Sequence, residues 1–270
     1  MAETDKVFAG SIPQLYDQFL VPLIFEYYAR DLAARVAQVK PSAVLETAAG
    51  TGALTREIAA RLPAQAGVTV TDLNQPMLDH NAARMPNDRR FAWRQADALA
   101  LPFADQSFDV VACQFGAMFF PDRIKGYAEA RRVLRPRGRF LFNVWNRIEI
   151  NDFALVVTDA LATLFPQDPP RFLARTPHGY HDLARIRDDL TAADFTSIAT
   201  ETLATTSKAA SPRDAAIAFC QGTPLRSEIE ARGASRLEEA TQVAAEALAR
   251  RFGNGPIEGR ISAHVVTAVR

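Results

Sequence analysis

The stretch VLETAAGTGALT, residues 44–55, decides the fold of this chain. It begins with apolar residues that are typical of a short buried strand and continues with a run of small residues, AAGTGA, at positions 48–53. Residues 54–62 then place Leu54, Ile58 and Leu62 at helical spacing. A strand, a turn of small residues and a helix begin a βαβ unit, and the small residues let a ligand or the helix approach the backbone closely.

The same alternation continues along the chain. Strand-like segments occur at residues 43–45, 67–72, 91–95, 108–113 and 139–145, and helix-like segments at 54–62, 76–85 and 123–134. This order predicts a parallel sheet with helices on both faces and a ligand site beyond the carboxyl ends of the strands. Before the sheet, residues 12–39 predict two helices that break near Pro22. After it, further helices separate strands predicted at 196–203 and 261–269.

Composition narrows the class of protein. Of the 270 residues, 48% are hydrophobic, which is enough to form a core. The 31 basic side chains equal the 31 acidic ones in number, so the chain lacks the excess of positive charge that is typical of nucleic-acid-binding proteins. Cys113 and Cys220 form neither a disulfide framework nor a metal-binding spacing. The N-terminus has no signal-peptide pattern, and no apolar run reaches the ~18 residues of a membrane helix. We therefore expect a cytoplasmic protein with no metal site and no membrane span.

The small-residue loop has two interpretations. Gly50 and Gly52 begin the G-x-G-x-x-G pattern of dinucleotide-binding proteins, but Thr55 holds the third glycine position. Asp72, about twenty residues further on, suits a ribose hydroxyl under either interpretation. An NAD-dependent oxidoreductase therefore remains an alternative, although the dinucleotide-binding pattern of this chain is incomplete.

The second interpretation includes Glu46. Residues 46–52, ETAAGTG, resemble the E/D-x-G-x-G-x-G loop of class I methyltransferases that depend on S-adenosylmethionine (SAM). The runs LPFADQSFDVV at 101–111 and RRVLRPRGRFLFNVW at 131–145 resemble the segments that lead into strands four and five of that family, and DDLTAADFTSI at 188–198 is more weakly similar. Within the family, the chain looks like the small-molecule branch that includes ubiquinone and menaquinone biosynthesis methyltransferases.

This resemblance implies a Rossmann-like α/β fold. We expect a mainly parallel seven-stranded sheet with helices on both faces, an antiparallel last strand and helical lid insertions. We expect residues 1–270 to form a single domain, with a helical cap at 1–40, a cofactor-binding core at 41–146, and lid helices plus the last two strands at 147–270.

The resemblance also implies a set of site residues. Loop backbone groups would meet the methionyl end of SAM, Glu46 would support its ammonium directly or through water, Asp72 would hold the ribose and Asp97 the adenine. The full cofactor-binding set is Glu46, Thr47, Ala48, Gly50, Gly52, Asp72, Leu73, Met77, Asp97, Ala98, Gln114 and Phe115. Ala48 replaces the first glycine of the motif, and its methyl group fits there if φ is negative.

The resemblance implies transfer of a methyl group from SAM to an unidentified small-molecule acceptor by in-line displacement, which leaves S-adenosylhomocysteine. The displacement needs alignment and exclusion of water more than a protein nucleophile. A hydroxyl acceptor would benefit from a base, and the candidates are Tyr16, His178, Tyr180 and His181. A SAM-binding protein without transferase activity is the other alternative, because a fold does not fix a function.

Overall fold

Seven strands form one sheet in residues 10–85 and 88–270, which are the part of the chain that the computed structural model describes. The strands are β1 (Ala43–Glu46), β2 (Gly67–Asp72), β3 (Phe91–Gln95), β4 (Phe108–Gln114), β5 (Leu134–Trp145), β6 (Ser197–Ala209) and β7 (Ile257–Val269). Their order across the sheet is β3-β2-β1-β4-β5-β7-β6. Strands β1 to β5 run parallel, and β7 runs antiparallel to both of its neighbours. The predicted seven-stranded, mainly parallel sheet is therefore confirmed.

Helices cover both faces of the sheet. They are α1 (Ile12–Leu15), a π-helix (Tyr16–Phe25), α2 (Glu26–Gln38), α3 (Ala53–Arg61), α4 (Gln75–Ala83), α5 (Arg123–Val133), α6 (Asp152–Leu164), α7 (Phe172–Arg175), α8 (Leu183–Ala192), α9 (Pro212–Cys220), α10 (Leu225–Ala231) and α11 (Leu237–Phe252). Leu32 of α2, Ile58 of α3 and Leu78 of α4 pack in one buried cluster, while Tyr127 of α5 and Leu190 of α8 belong to another. Burial of such side chains on two faces supplies the main driving force for this fold.

The N-terminal segment differs from the prediction, because no break occurs near Pro22. Residues 12–38 are helical throughout, and Pro22 lies inside the π-helix. The N–H of Glu26 donates to the carbonyl oxygen of Val21, five residues earlier. The wider turn of a π-helix accommodates Pro22, which has no backbone N–H to donate. The predicted cap also begins at residue 1, and its first nine residues lie outside the described part of the chain.

The last two strands are longer than predicted. β6 and β7 pair along their whole lengths, from Ser197 opposite Val269 to Ala209 opposite Ile257. This continuous antiparallel ladder extends both strands beyond the apolar alternation that marks them in the sequence. None of the helices within residues 10–85 and 88–270 has the length and apolar character needed to cross a bilayer.

The order of strands places the site. β1 lies between β2 and β4: the chain places β2 and β3 on one side of β1, and later places β4 on the other side. Loops from neighbouring strands separate at this switch point and leave a crevice beyond the carboxyl ends of β1 and β4. The small-residue loop begins at this point.

Candidate functional site

Three left-handed residues shape the small-residue loop. Ala48, Gly50 and Gly52 have φ values of 51°, 57° and 91°. The condition given for the Ala48 methyl group, a negative φ, is not met, and the left-handed conformation costs alanine about 1 kcal/mol. Gly116, after β4, accommodates the Ala48 methyl group, since a Cβ on Gly116 would lie 2.4 Å from the Cβ of Ala48. The two loops therefore approach each other closely.

Glu46 lies at the end of β1 and is fully buried. Its Oε2 accepts a hydrogen bond of 2.8 Å from the Thr55 hydroxyl, which in turn accepts one of 2.9 Å from Asn81 Nδ2. The other carboxylate oxygen, Oε1, has no hydrogen-bond partner in the part of the chain that the structure describes. Burial raises the pKa of Glu46 to about 8, and the Thr55 hydrogen bond offsets only part of this. Thr55, at the third glycine position of the dinucleotide pattern, thus serves to hold Glu46.

Asp72 lies at the end of β2 and braces the loop. Its Oδ2 accepts the N–H of Gly50 at 2.8 Å, and its Oδ1 accepts the N–H of Asn74 at 2.7 Å. Burial raises its pKa above the ordinary value, although these hydrogen bonds act in the opposite direction. Each oxygen retains a second lone pair, so the carboxylate can accept further hydrogen bonds from a ligand.

A cavity of about 840 Å³, including the space at its mouth, opens beyond β1, β2 and β4. We call it the strand-end cavity. Nine of the twelve predicted cofactor-binding residues line it: Ala48, Gly50, Asp72, Leu73, Met77, Asp97, Ala98, Gln114 and Phe115. The other three lie behind the loop: Glu46 is enclosed, the Thr47 N–H donates to the carbonyl oxygen of Ala112 at 2.9 Å, and Gly52 packs on Asn81.

The walls of the strand-end cavity differ in character. Leu73 is 46% exposed and contributes apolar surface to the lining. Asp97 accepts the N–H of Leu99 at 2.9 Å, which orders the loop after β3. Gln114 Nε2 donates to the carbonyl oxygen of Phe25 at 3.1 Å and so joins the end of β4 to the N-terminal segment.

A second cavity, of about 680 Å³, lies under the helices that follow β5 and β6. We call it the lid cavity. Its lining is mostly aromatic and aliphatic, and Tyr16, Phe115 and Phe119 line both cavities. Phe115 has a φ of 53° and stacks on Trp145 with 3.7 Å between ring centroids. Such strain in a bulky residue is typical of functional sites, and here it sets an aromatic partition between the two cavities.

The four candidate bases occupy different places. Tyr16 lines both cavities, and burial together with Asp72 and Asp17 raises its pKa. His178 lines the lid cavity. Tyr180 donates to Asp189 at 2.8 Å, and neither Tyr180 nor His181 lines either cavity.

Sequence reasoning missed the walls of the lid cavity. Trp145 ends β5, Phe172 lies in α7 and Phe219 in α9, so three separate elements bring these rings together. No local pattern distinguishes them from ordinary core residues. Apolar residues are frequent after residue 147, but their frequency does not show which of them line a cavity.

An ionic contact anchors the N-terminal segment over the strand-end cavity. Asp17, whose side chain is 8% exposed, pairs with Arg56 at 3.3 Å and with Arg84, and its Oδ2 lies 3.6 Å from His80 Nε2. Arg56 also donates to the carbonyl oxygen of Thr51 in the loop at 2.8 Å. Asp17 therefore links the segment that carries Tyr16 to the loop itself.

Removing this anchor should weaken ligand binding in the strand-end cavity. Under the methyltransferase interpretation, we expect Asp17→Asn to weaken the binding of S-adenosylhomocysteine about threefold, because loosening Tyr16 costs roughly 0.7 kcal/mol, the scale of a partly exposed ion pair. Titration calorimetry at low and high salt measures the change. Glu26→Gln is the matched control, since it breaks an exposed pair with Arg30 outside both cavities. Equal affinities for the two variants would contradict the role of Asp17.

Comparison with known proteins gives the family context. Residues 44–138 match the family model described as "Methyltransferase domain". A demethylmenaquinone methyltransferase from Deinococcus radiodurans is 38% identical over 141 residues, which cover 50% of this chain and 57% of that protein. A ubiquinone/menaquinone biosynthesis C-methyltransferase from Paracoccus denitrificans is 42% identical over 101 residues, 36% of this chain and 40% of that protein. The chain spans about half the length of these curated relatives.

Solved structures share the fold over more of the chain. The YcgJ protein from Bacillus subtilis superposes with a TM-score of 0.56 at 18% identity, covering 90% of this chain and 98% of that one. A phosphoethanolamine N-methyltransferase from Haemonchus contortus, in complex with SAM, gives a TM-score of 0.52 at 18% identity, covering 85% and 48% of the two chains. At this identity the likeness concerns the fold alone.

Proposed function

The chain belongs to the class I methyltransferases, and from that premise we propose that it transfers a methyl group from SAM to a small, largely apolar acceptor. The observation that carries this proposal is a pair of adjoining cavities that share Tyr16, Phe115 and Phe119 in their lining. One cavity has the charged and backbone groups suited to a nucleoside and an amino acid, and the other is apolar.

The residues of the strand-end cavity fit SAM. Behind the loop that borders this cavity, Glu46 Oε1 is buried and has no hydrogen-bond partner within residues 10–85 and 88–270, and an ammonium, directly or through water, would satisfy it. Asp72 offers two carboxylate oxygens for the ribose hydroxyls. Leu73 and Met77 provide apolar surface for a base, and Asp97 also lines the cavity. Nothing in this donor set calls for a diphosphate partner.

Bound SAM supplies a methyl group on a sulfonium, which is itself a good leaving group. The chain's part is to align the acceptor and exclude water. Tyr16, Phe115 and Phe119 lie between the two cavities. Their rings can therefore hold the acceptor atom in line with the methyl carbon and the sulfur of SAM. Because the lid cavity is mostly apolar, it would keep water from the reaction.

Thermal unfolding with SAM, S-adenosylhomocysteine or NAD tests the proposal. A ligand that binds the native state at a hundred times its Kd adds ~2.7 kcal/mol and raises Tm visibly. We expect SAM and S-adenosylhomocysteine to raise Tm and NAD to leave it unchanged. A rise with NAD alone would exclude the methyltransferase in favour of an oxidoreductase. Binding of SAM without methyl transfer to any acceptor in a broad screen would indicate a non-catalytic SAM-binding protein.

Ligand binding should also release a proton from Glu46. Its pKa of about 8 keeps the buried carboxyl mostly protonated at neutral pH, and a nearby ammonium lowers that pKa. We expect S-adenosylhomocysteine to release close to one proton at pH 7, and its affinity to rise between pH 6 and 7.5. Calorimetry in buffers of different ionisation enthalpy counts the protons.

Glu46→Gln is the matched variant, because glutamine keeps an oxygen for the Thr55 hydroxyl and cannot titrate. We expect no proton release and about tenfold weaker binding, from the loss of roughly 1.4 kcal/mol of charge-assisted interaction. The folded wild type binds the extra proton between the ordinary glutamate pKa and about 8, so its free energy of unfolding falls as pH rises through that window. Unchanged proton release in the variant would remove Glu46 from the ammonium site.

A further inference from the structure

Most polar side chains of the lid cavity already have partners within the protein. Asn151 Nδ2 donates to two backbone carbonyl groups, at 2.9 and 3.2 Å. The hydroxyls of Ser207 and Thr223 also donate to backbone carbonyl groups, at 2.6 and 2.7 Å. The donors of these groups are therefore used, and Thr223 Oγ1 and Asn151 Oδ1 also accept the N–H groups of Leu225 and Ser262. The Ser207 oxygen keeps its lone pairs as acceptors.

His178 is different. Its Nδ1 lies 2.8 Å from the carbonyl oxygen of Asn146, which can only accept, so Nδ1 carries the proton and Nε2 presents a lone pair. Within the described residues, Nε2 has no hydrogen-bond partner. Burial lowers the pKa of His178 to about 4, which keeps the ring neutral near pH 7. The side chain therefore brings one hydrogen-bond acceptor to an apolar cavity.

The position of His178 relates this acceptor to the reacting end of the cavity. Its ring lies 6.1 Å from the ring of Trp145 at an angle of 37°, and Trp145 stacks on Phe115, which faces both cavities. His178 is thus two aromatic rings away from the strand-end cavity. The stacked rings of Trp145 and Phe115 form a flat apolar wall beside it.

We propose that His178 selects the acceptor, by accepting through Nε2 a hydrogen bond from a hydroxyl on a planar, apolar molecule. His178 is then a positioning residue that orients the acceptor against the Trp145 wall. The inference rests on the proposed function only in placing the methyl acceptor in the lid cavity. Hydroxyl recognition itself can be measured without SAM.

Two compounds of equal size test the recognition, 2-naphthol and 2-methylnaphthalene, which differ in a hydroxyl against a methyl group. The chain has two tryptophans, so Trp93→Phe leaves Trp145, in the cavity wall, as the reporter of binding by fluorescence quenching. We expect 2-naphthol to bind about fivefold more tightly, as one net hydrogen bond allows. In His178→Phe the ratio of the two Kd values should fall to about one.

His264→Phe is the matched control, because it removes a buried histidine ring that contacts Thr202 outside both cavities, and its ratio should stay at the wild-type value. Should His178→Phe fail to fold, His178→Met replaces it, with the same expected loss of preference. Equal affinities in the wild type, an unchanged ratio in the His178 variant, or no quenching by either compound would each overturn the inference. If S-adenosylhomocysteine leaves Tm unchanged while the ratio behaves as expected, the proposed function fails and His178 recognition stands.

Discussion

Replacing Asp72 with alanine should weaken the binding of S-adenosylhomocysteine about a hundredfold. The carboxylate would accept two ribose hydroxyls, and two hydrogen bonds to a charged acceptor contribute about 3 kcal/mol together, which is about a hundredfold in Kd. The substitution also leaves the N–H groups of Gly50 and Asn74 without their acceptor, so the loop loses its brace at the same time. Asp72→Asn separates these effects, since the amide keeps the shape and one oxygen and lacks the charge.

Titration calorimetry well below the unfolding transition measures Kd for both variants. Asp79→Ala is the matched control, because it removes one negative charge from the exposed side of α4, where Asp79 contacts Gln75. It should bind S-adenosylhomocysteine as the wild type does. If folded Asp72→Ala bound within threefold of the wild type, the ribose would have to lie elsewhere.

The strand-end cavity could be predicted from the sequence, because the types and spacing of residues within short segments determine its lining. Glu46 and Asp72 end buried strands, and parallel strands that end at one edge bring such residues together. Gly50 and Gly52 are needed at positive φ, which glycine adopts without strain. Residue type and spacing therefore carry most of the information about the strand-end cavity, and nine predicted residues do line it.

The rest depends on contacts between distant segments. Ala48 is left-handed where its methyl group lies against Gly116, and Phe115 is left-handed where it stacks on Trp145. Neither residue type favours that conformation, so no propensity could indicate it. The uninterrupted helix through Pro22 likewise uses a π-turn that local rules do not favour. Tertiary packing overrides local preference at each of these positions, and two of them, Ala48 and Phe115, border the cavities.

Gly52→Ala should be the most destabilising single substitution in the small-residue loop. A Cβ at Gly52 would lie 2.0 Å from Asn81 Oδ1 and 2.4 Å from Asn81 Cγ, and φ is 91°. Left-handed strain costs about 1 kcal/mol and the overlap roughly 2 kcal/mol more, so we expect a loss of about 3 kcal/mol. Displacing Asn81 would also break its hydrogen bond to Thr55, which holds Glu46.

Gly50→Ala provides the comparison within the same loop. Its φ is 57°, and a Cβ there would meet only Met77 Cε, at an ordinary 3.7 Å. We therefore expect Gly50→Ala to lose about 1 kcal/mol, from backbone strain alone. Denaturant unfolding without ligand measures both variants, and the difference isolates the cost of crowding Asn81. Similar losses for the two variants would mean that Asn81 moves aside freely, and that the hydrogen-bonded chain from Asn81 through Thr55 to Glu46 does not hold the carboxylate in place.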